Sequence, residues 1–157
     1  MNMTVYQTTP PDQIRAISGL EFLQRIVRGD LPEAPFLKLV GARIVFAEEG
    51  KIVVETIPDI KHYNPLSVAH GGFATTVLDT AMGCAVQTTC APGAASTTLE
   101  LKVNLVRAIT ASAGKLRAEG KIIHRGRTTA TAQATLVDDD GRLFAHANCT
   151  CLVVEVG

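Results

Sequence analysis

The most constraining feature of this sequence is a long apolar run that starts after His70. Between Lys61 and Glu100, Asp79 is the only formally charged residue. A helix of about 18 residues formed by this run would have almost no polar stripe, so it must be covered on nearly all sides. Because a lone buried carboxylate is costly unless a partner or a reaction uses it, Asp79 is the first candidate functional residue.

Alternating apolar and polar residues predict β-strands on both sides of this helix. Residues 42–59 are typical of a hairpin with its turn at Glu49-Gly50. Four longer strands are predicted within residues 96–108, 114–124, 128–137 and 142–154. In the first of these, one apolar face is expected to meet the core, formed by Leu99, Leu101, Val103 and Leu105. The predicted class is α+β, with a curved antiparallel sheet wrapped around one long central helix.

The first part of the chain has helical periodicity. Residues 10–29 are predicted to be helical, and the capping-box spacing of Ser18 and Glu21 indicates that the helix restarts there. The prolines that follow end the helix. We therefore expect an N-terminal helical extension over residues 1–35, packed on a main domain over residues 36–157. Residues 1–13 lack the pattern of a signal peptide.

Composition excludes several classes of partner. Fifteen basic and fifteen acidic residues leave no net charge, which argues against nucleic acid as the main partner. No run is apolar enough to predict a membrane span. The four cysteines match no zinc pattern and are expected to be reduced, mostly buried thiols. We expect no metal, no membrane partner and a cytoplasmic location.

His70, Gly71 and Gly72 precede the apolar helix. A helix N-terminus offers unpaired N–H groups and the positive end of the helix dipole, and glycines let another group approach the backbone. The Gly71 amide could therefore bind a carbonyl oxygen as negative charge develops on it. The alternative is that both glycines only make a tight turn into the helix.

Asp79 and Asn64 are also open to two interpretations. Asp79 could act as a general base on water or as a nucleophile; otherwise it is a structural aspartate bonded to a backbone group or a cation. Asn64 could donate a hydrogen bond to a carbonyl or orient a water; otherwise it is a turn asparagine before proline.

The spacing of Gly71 and Asp79 relates the two candidates. They are eight residues apart, which on one helix separates them by about 12 Å. One carbonyl cannot contact both. If they serve one reaction, Asp79 must come from a second copy of the chain, so an active form is expected to be at least a dimer.

The stretch NPLSVAHGGFATTVLDTAMG resembles the N-P-x(4)-HGG-x(6)-D pattern of hotdog-fold acyl-CoA thioesterases of the phenylacetate-pathway (PaaI-like) type. The similarity extends from about Phe36 to Val154. The resemblance implies a hotdog fold, a homodimer or a dimer of dimers, and hydrolysis of acyl-CoA thioesters without a cofactor. It also implies the following site residues: Asp79 as general base or nucleophile, Gly71 as the oxyanion amide, Asn64 and His70 shaping the carbonyl site, and Thr98, or Thr97, as a hydroxyl that helps to hold the water.

CoA carries phosphates, so such an enzyme needs basic groups near its pocket. The candidates are His124, Arg125 and Arg127, because arginine binds phosphate in a fork geometry; the alternative is a solvated hairpin tip. The pocket walls are predicted to include Leu66, Gly72, Phe73 and Met82. Two other functions remain open: a non-catalytic hotdog protein that binds acyl-CoA or another ligand, and a thioesterase that acts on acyl carrier protein.

Overall fold

The structure is a computed structural model, and it describes residues 7–156. The helices of this part are α1 (Pro11–Arg15), α2 (Gly19–Arg28), α3 (Pro35–Val40) and α4 (Gly71–Gln87). The strands are β1 (Ala42–Glu48), β2 (Lys51–Thr56), β3 (Ala94–Leu105), β4 (Leu116–Arg125), β5 (Thr129–Asp138) and β6 (Leu143–Glu155).

The six strands form one antiparallel sheet in the order β1-β2-β4-β5-β6-β3. α4 packs on this sheet and contacts β2 to β6. The approach is closest at Gly120 of β4, where an added Cβ would lie 2.2 Å from the carbonyl oxygen of Ala81. The predicted α+β class, with a curved antiparallel sheet around one long helix, is confirmed.

The N-terminal helices α2 and α3 pack on β1, and the first residue of α2 also contacts the C-terminal end of α4. The predicted restart is correct: Ser18 caps α2, and its hydroxyl accepts a hydrogen bond from the Glu21 amide at 3.2 Å. The Gly19 amide donates to the Cys90 carbonyl at 2.9 Å, and a Cβ on Gly19 would lie 1.8 Å from the Gln87 carbonyl oxygen. Residues 1–6 of the predicted extension lie outside the described residues.

Two features of the fold differ from the prediction. The short helix α3, which begins with a proline at its first position, was not predicted. The register of β3 against β6 shifts between Thr98 and Glu100. Leu99, the extra residue of this β-bulge, is 59% exposed and does not face the core as predicted. Leu105, near the strand end, is 57% exposed, but it stays on the α4 side of the sheet, where it lies beside Gly71. The core side of β3 is instead formed by Leu101 and Val103, which are partly buried.

The cysteines are free thiols, and three of the four are buried. The sulfur atoms of Cys149 and Cys151, on the same side of β6, are 3.7 Å apart without a bond between them. Within residues 7–156, no helix has the length and hydrophobicity that crossing a membrane requires.

Candidate active site

The N-terminus of α4 is capped by His70. Its Nδ1 atom accepts a hydrogen bond from the Gly72 amide at 2.9 Å. The Gly71 amide is the first of the helix, so it has no partner within α4, and it is paired with no other acceptor in the described part of the chain. Of the two predicted glycines, Gly71 is therefore the one whose N–H group can bind a ligand.

Asn64 lies in the loop that leads to α4. Its Oδ1 atom accepts a hydrogen bond from the Leu66 amide at 2.8 Å, which makes it a turn asparagine. Its carboxamide nitrogen has no partner among residues 7–156, so the side chain can also donate. Asn64, His70 and Gly71 line a hollow of about 230 Å³, and Arg107 lies on its wall.

Asp79 is half-buried on α4, and its partner is a hydroxyl. Thr98 Oγ1 donates a hydrogen bond to Asp79 Oδ1 at 2.9 Å. The bulge in β3 lets Thr98 turn to α4 while Leu99 faces away. No ion pair of Asp79 occurs within residues 7–156. In the part of the chain that the structure describes, the carboxylate is therefore held by a neutral donor and is not neutralised by a cation.

A cavity of about 520 Å³ adjoins this pair, and both Asp79 and Thr98 line it. Most of its other walls are apolar and come from the N-terminal segment, which we define as residues 7–37. The side chains concerned include Ile14, Phe22, Ile26, Phe36 and Leu37. Sequence reasoning missed this wall, because an apolar helical stripe does not reveal which part of the chain it packs against.

The predicted wall residues Leu66, Gly72, Phe73 and Met82 are not among the residues that line this cavity. Met82 is 0% exposed and Phe73 is 6% exposed, and both belong to the core between α4 and its neighbours. The Phe73 ring stacks on His62 with centroids 4.3 Å apart. Leu66 is 82% exposed on the loop before α4. Gly72 is at the helix N-terminus, where its amide binds His70.

Cys84 is five residues after Asp79 on α4 and lines the same cavity. Burial, followed by the negative charge of Asp79, raises the pKa of the Cys84 thiol to about 12. A thiol with this pKa stays protonated near neutral pH and is a poor nucleophile. Of these two residues, Asp79 is thus the candidate reactive group in the wall of the cavity.

The candidate residues form two groups within one chain. Asn64, His70 and Gly71 meet at the N-terminus of α4, and Asp79 meets Thr98 further along the helix. Asp79 is eight positions after Gly71, which corresponds to about 12 Å along the helix axis. A single chain does not bring the two groups to one carbonyl.

The basic hairpin between β4 and β5 lies near the opposite end of α4. Arg125 donates from Nε to the Thr89 hydroxyl at 3.2 Å and from its terminal nitrogen to the carbonyls of Gly126 and Arg127. His124 and Arg127 are exposed. The guanidinium of Arg125 is thus largely occupied by its own hairpin, and a phosphate site at these residues stays a prediction. Among residues 7–156, no cluster of His, Cys, Asp or Glu could hold a metal ion.

Comparison with known families and proteins identifies relatives of this chain. The family model of the thioesterase superfamily matches residues 66–145. The 1,4-dihydroxy-2-naphthoyl-CoA hydrolase of Listeria monocytogenes is 26% identical over 114 residues, which cover 73% of this chain and 91% of the relative.

Several solved structures are also similar to this chain. A thioesterase family protein from Silicibacter pomeroyi is 27% identical, with a TM-score of 0.75 over 85% of this chain and 98% of that chain. The PaaI protein from the phenylacetic acid degradation operon of E. coli is 20% identical, with a TM-score of 0.74 over 89% of this chain and 97% of that chain, which supports the fold alone. The chain belongs to the thioesterase superfamily, has the hotdog fold and is a thioester hydrolase.

Proposed function

We propose that this protein hydrolyses acyl-CoA thioesters to the free acid and CoA, at sites that are shared between two copies of the chain. The observation that carries the proposal is the Asp79 carboxylate, which is held by Thr98 and has no ion pair within residues 7–156, at the wall of an apolar cavity. The named activity of the Listeria relative on a CoA thioester supports CoA as the carrier.

In the proposed reaction, Asp79 takes a proton from a water molecule whose oxygen attacks the thioester carbonyl. The negative charge that develops on the carbonyl oxygen is stabilised by the Gly71 N–H group and the positive end of α4. The tetrahedral intermediate then breaks its C–S bond, and the CoA thiolate leaves and is protonated. His70 holds the first turn in place through Gly72, and the free carboxamide nitrogen of Asn64 can donate a second hydrogen bond to the oxygen.

Two copies are proposed because an oxyanion donor must lie about 3 Å from the oxygen that it stabilises. Within one chain, the Gly71 amide is too far from a carbonyl placed beside Asp79. The sheet ends at β3, whose outer edge has no partner strand in the described part of the chain, and Leu99 on this strand is exposed. An unpaired apolar edge of this kind is a surface on which a second copy can pair. We propose a homodimer, or a dimer of dimers.

Arg107 is a candidate for the CoA phosphates. It lies on the wall of the hollow that contains Gly71 and Asn64, whereas the guanidinium of Arg125 is occupied by its hairpin. His124 and Arg127 are exposed and remain a second candidate pair.

Mixing two inactive variants tests the shared site. Asp79→Asn removes the base. Gly71→Pro removes the amide while proline suits the first helical position, and the preceding His70, with φ −57° and ψ 139°, has the backbone that a residue before proline requires. Each variant alone should lose about 100-fold or more in kcat/KM, measured as thiol release from acyl-CoA. Refolding both variants together in equal amounts should restore about a quarter of wild-type activity, because half of the dimers then contain one intact site.

Gly71→Ala is the matched control, because it keeps the amide and meets the same Leu105 side chain that a proline would meet. It should retain most of the activity. Activity without loss in Asp79→Asn would contradict the assignment of the base. Two inactive variants that stay inactive after mixing would place the site within one chain. Tight binding of acyl-CoA by the wild type without thiol release would instead favour a binding protein, and release from acyl carrier protein alone would favour the other carrier.

A further inference from the structure

The N-terminal segment lies outside residues 66–145, which match the family model, yet it forms a wall of the cavity beside Asp79. Ile14 of α1 and Phe22 and Ile26 of α2 line this wall. We propose that the acyl group of the thioester binds in this cavity, between α2 and α4, and that the N-terminal segment selects uncharged, apolar acyl groups. This inference rests on the proposed function, since it places the acyl group relative to Asp79.

The wall is attached to the main domain by hydrogen bonds at several points. The Gly19 amide donates to Cys90, and the Gly93 amide donates to the carbonyl of Arg15, both at 2.9 Å. The Ile44 amide of β1 donates to Glu33 Oε1 at 2.9 Å. A Cβ on Gly19 would overlap the backbone of α4, so α2 lies against α4 without a gap at this end. The cavity is therefore preformed and is bounded by a fixed wall.

Size and lining both favour an apolar acyl group. The volume of about 520 Å³ lies within the range of pockets that bind small molecules. The aliphatic and aromatic side chains of the N-terminal segment offer apolar surface to a hydrocarbon chain. Because the burial of each methylene group strengthens binding about fourfold, kcat/KM should rise with chain length until the cavity is filled.

The charges of the residues that line the cavity argue against acyl groups that end in a carboxylate. Among the described residues that line the cavity, the charged side chains are Asp79 and Glu33, and both are acidic. No lysine, arginine or histidine is among them. A carboxylate at the far end of an acyl group would lose its water and gain no cation, so dicarboxylic acyl groups should be excluded.

The test compares two tryptophan substitutions in the N-terminal segment. Ile14 and Ile17 are both partly exposed, but only Ile14 lines the cavity. Thiol release is measured for acetyl-, butanoyl-, hexanoyl-, octanoyl- and octanedioyl-CoA. In the wild type, kcat/KM should rise from acetyl to octanoyl and be more than about tenfold lower for octanedioyl than for octanoyl. Ile14→Trp should lower the ratio of octanoyl to acetyl kcat/KM about tenfold or more, since it removes space for two or more methylene groups. Ile17→Trp should leave this ratio unchanged.

The same ratio in Ile14→Trp and Ile17→Trp would overturn the inference, as would a wild type that prefers octanedioyl-CoA. Calorimetry with S-octyl-CoA, a thioether that cannot be hydrolysed, separates this inference from the proposed function. If no acyl-CoA releases thiol but the thioether binds and Ile14→Trp weakens its binding, the acyl site stands and hydrolysis of acyl-CoA is refuted. If acyl-CoA is hydrolysed with no dependence on chain length, the proposed function stands and the acyl site is refuted.

Discussion

Replacing Thr98 with valine isolates the contribution of one hydrogen bond to the candidate active site. Thr98 Oγ1 donates to Asp79 Oδ1 at 2.9 Å, and its other polar neighbour is the weakly bonding sulfur of Cys151 at 3.9 Å. Valine has nearly the same shape as threonine, so the substitution removes the donor without opening a cavity. Because Asp79 has no ion pair within residues 7–156, this bond is what orients the carboxylate towards the proposed water.

The magnitude follows from the charge of the acceptor. A hydrogen bond to a charged group contributes about 1.5–3 kcal/mol. If all of it is lost in the transition state, kcat/KM falls about 10- to 150-fold. The decrease should be in kcat, with little change in KM, since Thr98 acts through Asp79 and not on the acyl chain. The measurement is initial-rate thiol release from the best acyl-CoA substrate, with the melting temperature recorded for each variant.

Thr98→Ser is the matched control, because serine keeps the hydroxyl that donates to Asp79. It should retain kcat to within a few-fold. Wild-type kinetics in Thr98→Val would refute the positioning role. An equal loss of kcat in the serine and valine variants would also refute it, since the loss would then not depend on the presence of the hydroxyl.

Two further predictions concern stability. Gly120→Ala should destabilise the protein by about 3 kcal/mol, measured by denaturant unfolding, because the new Cβ would lie 2.2 Å from the Ala81 carbonyl oxygen. Gly83→Ala, whose Cβ would meet only Thr98 Oγ1 at 3.6 Å, should instead be neutral or stabilising, as alanine favours a helix; equal effects would show that close contact with β4 is unimportant. For Glu55, burial raises the pKa, but hydrogen bonds from Arg117 and other cations outweigh it, so that the pKa is below 4.5. The ionised carboxylate thus stabilises the fold above pH 4.5 and loses this effect at lower pH; the melting temperature of Glu55→Gln should be furthest below that of the wild type near neutral pH and approach it under acid, and a constant gap would contradict this.

Features encoded by neighbouring residues were predictable from the sequence. The Glu49-Gly50 turn, the Ser18 cap and the long helix after His70 all depend on contacts within a few residues, and the structure has each of them. The hotdog fold followed from the motif around Asp79. The unpaired Gly71 amide also followed from local reasoning, because the first N–H group of a helix has no internal acceptor.

Features that depend on distant contacts were not predictable. A strict alternation in β3 places Leu99 on the core face, and only the pairing with β6 reveals the bulge that turns Thr98 to Asp79 instead. Likewise, the helical period of Ile14 and Phe22 indicates an apolar stripe but not its position beside α4. Phe73 and Met82 were predicted as pocket walls, yet both are buried in the core around α4.

In the proposed scheme the N-terminal segment binds the acyl group and α4 carries reacting groups, and this separation has a consequence for how such enzymes diverge. Gly71, Asp79 and Thr98 lie within residues 66–145, which match the family model, and the wall that in this scheme contacts the acyl group lies outside these residues. Mutations in residues 7–37 can then change the preference for the acyl group without changing the groups that carry out hydrolysis. Two paralogues with identical motifs around Asp79 can therefore serve different metabolic roles, and the motif alone is a poor guide to the natural substrate.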